Sequence, residues 1–233
     1  MWVSIVVAGL LGAVAGLVAS RLAVGWAAVR PLPASSIRTP PAVTGLLHGV
    51  VLATLVWRWG AEPSTVPLLG LVWVVLTAAD VDLRVHAIPD RLTLRAPLVL
   101  GGAVLIVSLV GHGGGGPGSL VAAGVTSVLL PAVLLLTSVL FRRLRGEAGV
   151  GLGDVKLAIT IGLVLGWRGP GLLVLALLIA AVSSAALVLA LLAARRLDLG
   201  DRMPFGPHLA IGTVAALVGG EPAVAWLGAV MLG

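Results

Sequence analysis

Val66-Pro-Leu-Leu-Gly-Leu-Val-Trp-Val-Val-Leu-Thr-Ala-Ala-Asp80-Val-Asp82-Leu-Arg84-Val-His-Ala-Ile-Pro89-Asp90 carries an apolar run directly into two carboxylates, an arginine and a proline. Similar apolar runs recur along the chain, which is 59% hydrophobic and only 10% charged, with a mean hydropathy of +1.17. A soluble domain carries roughly a quarter charged residues. These runs are therefore read as membrane spans, and the fold class as an all-α polytopic helical bundle.

Eight spans are expected: Val3–Ala23, Ala42–Trp59, Val66–Val81, Leu92–Val110, Leu120–Phe141, Val155–Trp167, Gly171–Ala194 and Leu209–Gly219. A crossing needs about 20 helical residues. The third and sixth runs reach that length only if their flanking acidic motifs enter the membrane edge. Asp82 then falls in the last turn of one helix and Asp154 in the first turn of another. Beyond Gly219-Gly220-Glu221-Pro222, the tail Ala223–Leu232 either continues the last span after a kink or lies at the surface. The apolar N-terminus lacks a basic leader and reads as a first span, not a removable signal. Residues 1–233 form one expected membrane domain, with 66–219 carrying the motifs and 1–60 two accessory spans.

The formal net charge of +6 invites a nucleic-acid reading. The arginines, however, cluster between apolar runs and form no basic tail or amphipathic face, so the expected surface partner is the lipid bilayer and not a nucleic acid. With eight spans and the N-terminus outside, all but Arg58 and Arg168 of the 15 basic residues face the cytoplasm. That bias follows the positive-inside rule. Cysteine is absent, which excludes disulfides and Cys-based zinc sites in these residues, and no metal or cofactor is expected. The external loop His112-Gly-Gly-Gly-Gly-Pro117 lacks the Lys-Ser/Thr ending of a phosphate loop. Pro31–Pro41 reads as a cytoplasmic connector.

Ionisable groups at membrane depth are costly unless they have a partner or a task. Asp82 is open to two readings: a solvated aspartate paired with Arg84 or Arg91, or a functional acid, a role for which Asp80 also competes. Pro89 ends one segment, and Asp90 is placed to N-cap the helix beginning near Leu92. Gly151-Leu-Gly153-Asp154-Val-Lys156-Leu157 opens another helix. Asp154 could simply cap it, but two nearby glycines permit close approach to a neighbouring helix. Lys156, the only lysine, either snorkels to headgroups or biases the field on Asp154. Pro204-Phe205-Gly206-Pro207-His208 makes a stiff turn into the last span, on the same face as both acids.

The order and spacing of these three segments resemble the type IV prepilin peptidase family of aspartic inner-membrane proteases. The first family motif places an aspartate seven residues before the proline of an Ile/Leu-Pro-Asp/Asn step, which selects Asp82 over Asp80. The second is matched by Gly151, Gly153, Asp154, Lys156 and Leu157. The third, Pro-Phe-Gly-Pro, is matched by Pro204 to Pro207. The resemblance implies catalysis by Asp82 and Asp154 and a prepilin or pseudopilin substrate with a basic leader. It also implies location in the bacterial cytoplasmic membrane, with the active site facing the cytoplasm. Close carboxylates in a dry site share a proton: one activates water while the other protonates the departing group. Acidic groups such as Asp80, Asp90, Glu147 or Asp198 would then help to hold the leader.

The family's bifunctional members carry paired Cys-x-x-Cys motifs associated with N-methylation, and this chain has none. Presenilin-like proteases pair Gly-x-Gly-Asp with Tyr-Asp, and tyrosine is absent here. The competing functions are a proton- or cation-coupled transporter and a non-catalytic pilus or secretion assembly protein. His48, in mid-span, reads as a packing residue. Ser183 and Ser184 read as structural, with no histidine near them in sequence. The sequence leaves the oligomeric state open.

Overall fold

With no water in a bilayer core, every backbone N–H and C=O must be satisfied within the protein, and apolar runs meet that demand as helices. The computed structural model describes residues 1–27, 36–111, 117–145, 151–196 and 204–232. Those residues form α1 (Trp2–Ala27), α2 (Pro41–Trp59), α3 (Val66–Val85), α4 (Asp90–Leu109), α5 (Pro117–Arg145), α6 (Leu152–Arg168), α7 (Pro170–Ala193) and α8 (Gly206–Leu232). A single 3-10 turn, Pro63–Thr65, precedes α3, and no strand occurs among the described residues. Seven of the helices are long and apolar enough to cross a membrane; α6 has 17 residues.

α3 is the central helix. In its apolar stretch 67% of residues are buried, against 39% or less for the other six candidate spans. It packs on α8, α1, α4 and α6, while α1 pairs with α2, α5 with α6, and α7 with α8. The core follows from this arrangement: Leu71, Val75 and Ala78 of α3 meet Leu157, Ile161 and Leu165 of α6 and Leu209 and Leu217 of α8 within one apolar cluster. The outer surface is apolar as well, with Leu10, Leu98, Leu136 and Leu189 each at least 65% exposed. An interior of this kind inside an equally apolar exterior is suited to lipid.

Both short runs lengthen as expected. α3 continues past Val81 to Val85, which puts Asp82 in its last turn, and α6 begins at Leu152, which puts Asp154 in its first. The last helix resolves the open question about the tail. It breaks at Gly220 (φ 61°, ψ −157°), a conformation suited to glycine, and resumes as helix through Leu232. Pro222 has no N–H to donate back into the preceding turn. Just before the break, the Trp59 indole donates to the Leu217 carbonyl at 2.8 Å. Beyond the break, Val224 packs against Gly171 at the start of α7. The glycine-rich loop of residues 112–116, and Arg30, Glu147, Asp198 and Arg202, lie outside the described residues.

Candidate active site

Three helix ends meet at one end of the bundle. α3 ends at His86, which adopts left-handed geometry (φ 50°, ψ 37°) and returns its N–H to the Asp82 carbonyl at 2.8 Å. The chain turns through Ile88 and Pro89, and α4 begins. Pro89 supplies the extended cap conformation (φ −67°, ψ 135°), and its carbonyl receives the N–H groups of Leu92 and Thr93. Asp90 is therefore the first helical residue and not the N-cap expected from sequence. Its carboxylate instead accepts from Lys156 Nζ of α6 at 2.6 Å. That pair is substantially exposed and ties the α6 entrance to the α3–α4 turn. Lys156 thus engages Asp90, where the sequence left open lipid headgroups or the field on Asp154.

Asp80 and Asp82 have separate partners. Arg84 pairs with Asp80, its Nε donating at 3.1 Å and its Nη2 at 3.2 Å, and it also donates to the Thr39 carbonyl and hydroxyl at 2.7 and 2.8 Å. Thr39 Oγ1 donates to Asp80 as well. The Ile37 N–H reaches the Leu83 carbonyl at 2.9 Å, so this cluster fastens the segment before α2 onto the end of α3. Asp80 is buried and occupied by these bonds, which removes it from the acids available to a leader. It also takes the arginine that a bland reading assigned to Asp82.

Asp82 faces α8 and α6. Its Oδ2 accepts the backbone N–H of Gly206 at 3.1 Å, the first residue of α8. A Cβ at Gly206 would lie 2.8 Å from that oxygen, so the close approach requires glycine. Pro204, Phe205 and Pro207 build the turn that aims this N–H, and the Phe205 carbonyl accepts from His208 and Leu209 at 3.0 and 3.1 Å. Phe205 also packs on the main core.

Asp154 stands at the third residue of α6, after the cap Gly151, whose N–H donates to the carboxylate. A carboxylate at this position reaching back to the cap N–H is half of a capping box. The other oxygen, Oδ1, is buried with no hydrogen-bond partner among the described residues. Gly153 lies against Ile88, where a Cβ would come within 3.1 Å of Ile88 Cβ, so this glycine brings α6 tight against the α3–α4 turn, whereas a Cβ at Gly151 would meet only Asp154 Oδ2, at 3.1 Å. Asp82 and Asp154 are 5% and 7% exposed, and the charge of Asp82 bears directly on Asp154. The arrangement is a pair of buried acids at a bundle end, one with a free oxygen, which is equipment for moving protons.

Sequence reasoning missed one contact here. Ser183 of α7 meets His208 of α8, with Oγ 3.1 Å from Nδ1. The serine hydroxyl also reaches the Ala180 carbonyl of its own helix at 3.0 Å, and when it donates there it accepts from the imidazole. The contact ties α7 to α8. His48 likewise bonds locally, Nδ1 to the Thr44 carbonyl at 2.8 Å.

No solved structure matches the chain. Among curated proteins it is similar to the prepilin leader peptidase/N-methyltransferase of Aeromonas salmonicida strain A449, with 34% identity over 187 residues, covering 79% of this chain and 58% of the relative. The protein of the same name from Pseudomonas putida is 36% identical over 188 residues, covering 80% of this chain and 60% of the relative. The chain thus spans less than two thirds of the length of these curated relatives. The family described as type IV leader peptidase matches residues 69–199, a range that takes in Asp82, Asp90, Asp154 and Lys156 and stops short of the Pro204–Pro207 turn. Since that match covers more than half of the sequence, the chain belongs to the type IV leader peptidase family.

Proposed function

We propose that this protein is an intramembrane aspartic endopeptidase. It removes the basic leader of a type IV prepilin or pseudopilin at the cytoplasmic face of the bacterial inner membrane. The observation that supports this reading is that Asp82 and Asp154, 72 residues apart in sequence, are both buried at one end of the bundle, near enough for the charge of one to act on the other, with Asp154 Oδ1 unpartnered among the described residues. The orientation, with the N-terminus outside and this end in the cytoplasm, is supported by Arg58 and Arg168. They are the two basic residues assigned outward from sequence, and both lie at the opposite end, stacked on Trp59. Arg168 is 14 residues along α6 from Asp154, or about 21 Å at 1.5 Å per residue. The chain acts as a single membrane domain in which α1 and α2 are accessory and residues 66–219 carry the chemistry.

Two neighbouring acids in a partly dry site cannot both ionise cheaply, so the pair holds one proton. The ionised acid takes a proton from a water as its oxygen bonds to the scissile carbonyl carbon. The protonated acid hydrogen-bonds the carbonyl oxygen; its proton then passes to the amine nitrogen as the C–N bond breaks. The Gly206 N–H holds the Asp82 carboxylate in position for this exchange, and Asp80 with Arg84 keeps the end of α3 in place. Leader removal is carried over from the relatives' printed name. Methyl transfer is not, because no cysteine is present to build the paired Cys-x-x-Cys loop associated with it.

The direct test follows leader removal from a co-expressed prepilin. D82N and D154N should each abolish cleavage, while D80N should retain it in whatever fraction still folds. Normal cleavage by D82N or by D154N would refute the pair. Loss confined to D80N would mean that the catalytic aspartate has been placed two residues too late.

A further inference from the structure

At the end of the bundle away from the acids, two arginines from different helices share one indole. Arg58, in the last turn of α2, holds its guanidinium carbon 5.0 Å from the Trp59 ring centroid, and Arg168, in the last turn of α6, holds its own at 4.3 Å. The ring is pinned by its bond to the Leu217 carbonyl. Arg58 also lies against Gly220, at the break in α8.

A guanidinium presents five N–H donors in a rigid fork. Among the described residues those donors find few acceptors. Arg168 Nε is buried with no hydrogen-bond partner among the described residues. Its closest carboxylate is Glu221, 3.9 Å away on a side chain 76% exposed. Arg58 has no carboxylate partner among the described residues. Each arginine sits at a helix C-terminus, where the dipole favours a cation, and on an aromatic face, which does the same. Those effects hold two charges against one indole without saturating their N–H groups. An anion accepting from them would supply the missing acceptors.

We propose that Arg58, Trp59 and Arg168 form a binding site for the phosphate of an anionic phospholipid headgroup. Two planar forks suit bidentate contact with phosphate oxygens better than two ammonium groups would. The location favours lipid over soluble phosphate. The site lies where apolar helix faces end, and Trp57, one residue before Arg58, is 60% exposed on the surface of α2. Tryptophan at a span end marks the headgroup level. This inference is independent of the peptidase reading.

The test uses the purified full chain in detergent, titrated with phosphatidylglycerol, with phosphatidylcholine of the same acyl chains, and with inorganic phosphate, and read by native mass spectrometry. Phosphatidylglycerol should bind about tenfold more tightly than phosphatidylcholine, and millimolar phosphate should not displace it. R58Q/R168Q, with unchanged helical circular dichroism, should weaken that binding about tenfold, the loss of charge-assisted bonds. Should that variant not fold, R58K/R168K keeps both charges and removes the forks, and it should still bind several-fold more weakly. Equal binding of the two lipids, or wild-type binding by a folded variant, overturns the proposal. Displacement by millimolar phosphate overturns the lipid assignment in favour of a soluble anion.

Discussion

Gly206→Ala is a one-carbon change aimed at a single contact. The added Cβ would lie 2.8 Å from Asp82 Oδ2 and 3.3 Å from its Cβ and Cγ, and from no other group as closely. Because Gly206 opens a helix, alanine by itself favours folding there by up to about 1 kcal/mol. The clash must therefore be relieved by turning the Asp82 carboxylate or shifting the turn, and either movement loosens the 3.1 Å bond from the Gly206 N–H. A hydrogen bond to a charged group contributes about 1.5–3 kcal/mol. If that contact holds the reacting acid in place, its loss slows turnover roughly 10- to 100-fold, at 1.36 kcal/mol per factor of ten. The assay is the initial rate of leader removal from a purified prepilin in detergent micelles, with protein amount and thermal midpoint checked alongside. A folded G206A enzyme cleaving at the wild-type rate would refute the role given to this contact.

Three further outcomes are expected. Asp80→Asn strands a buried arginine, a loss of about 3–5 kcal/mol that a midpoint measurement should detect, and adding Arg84→Gln should recover most of it; equal midpoints for all three proteins would contradict this. Lys156→Met breaks an exposed pair with Asp90, so stability should fall by less than about 1 kcal/mol and cleavage should stay within a few-fold of wild type; abolished cleavage would give Lys156 a direct part in the chemistry. Cleavage against pH should rise and fall, declining on the acid side as the second carboxylate protonates and on the alkaline side as the shared proton is lost; a flat profile across the range where the protein stays folded would argue against a shared proton.

The helices were legible because lipid exposure writes itself into composition: an uncharged run of the right length has few alternatives. Even the short α3 and α6 could be extended correctly, since their carboxylates needed somewhere to go. Side-chain partnerships were less legible. Lys156 and Asp90 are 66 residues apart, and nothing local to either sequence position specifies the other. Asp90 looked like a cap, yet Pro89 already supplies the cap geometry, which frees the aspartate for long-range pairing. The choice between Asp80 and Asp82 rested on spacing from Pro89. The physical distinction, that Arg84 and Thr39 occupy one while a backbone N–H from α8 reaches the other, exists only once three helix ends converge. Ser183 and His208 show the same limit, because a histidine 25 residues away is distant in sequence and adjacent across an antiparallel helix pair.

The most direct measurement is a double-mutant cycle on prepilin cleavage by purified wild type, D82N, D154N and D82N/D154N, each confirmed as folded. Groups that act as one unit lose nearly everything with the first member and little more with the second. Both single variants should fall to background, and the double variant should be no slower than either. Substantial activity in one single variant, or losses that add up independently in the double, would contradict a shared-proton pair formed by Asp82 and Asp154.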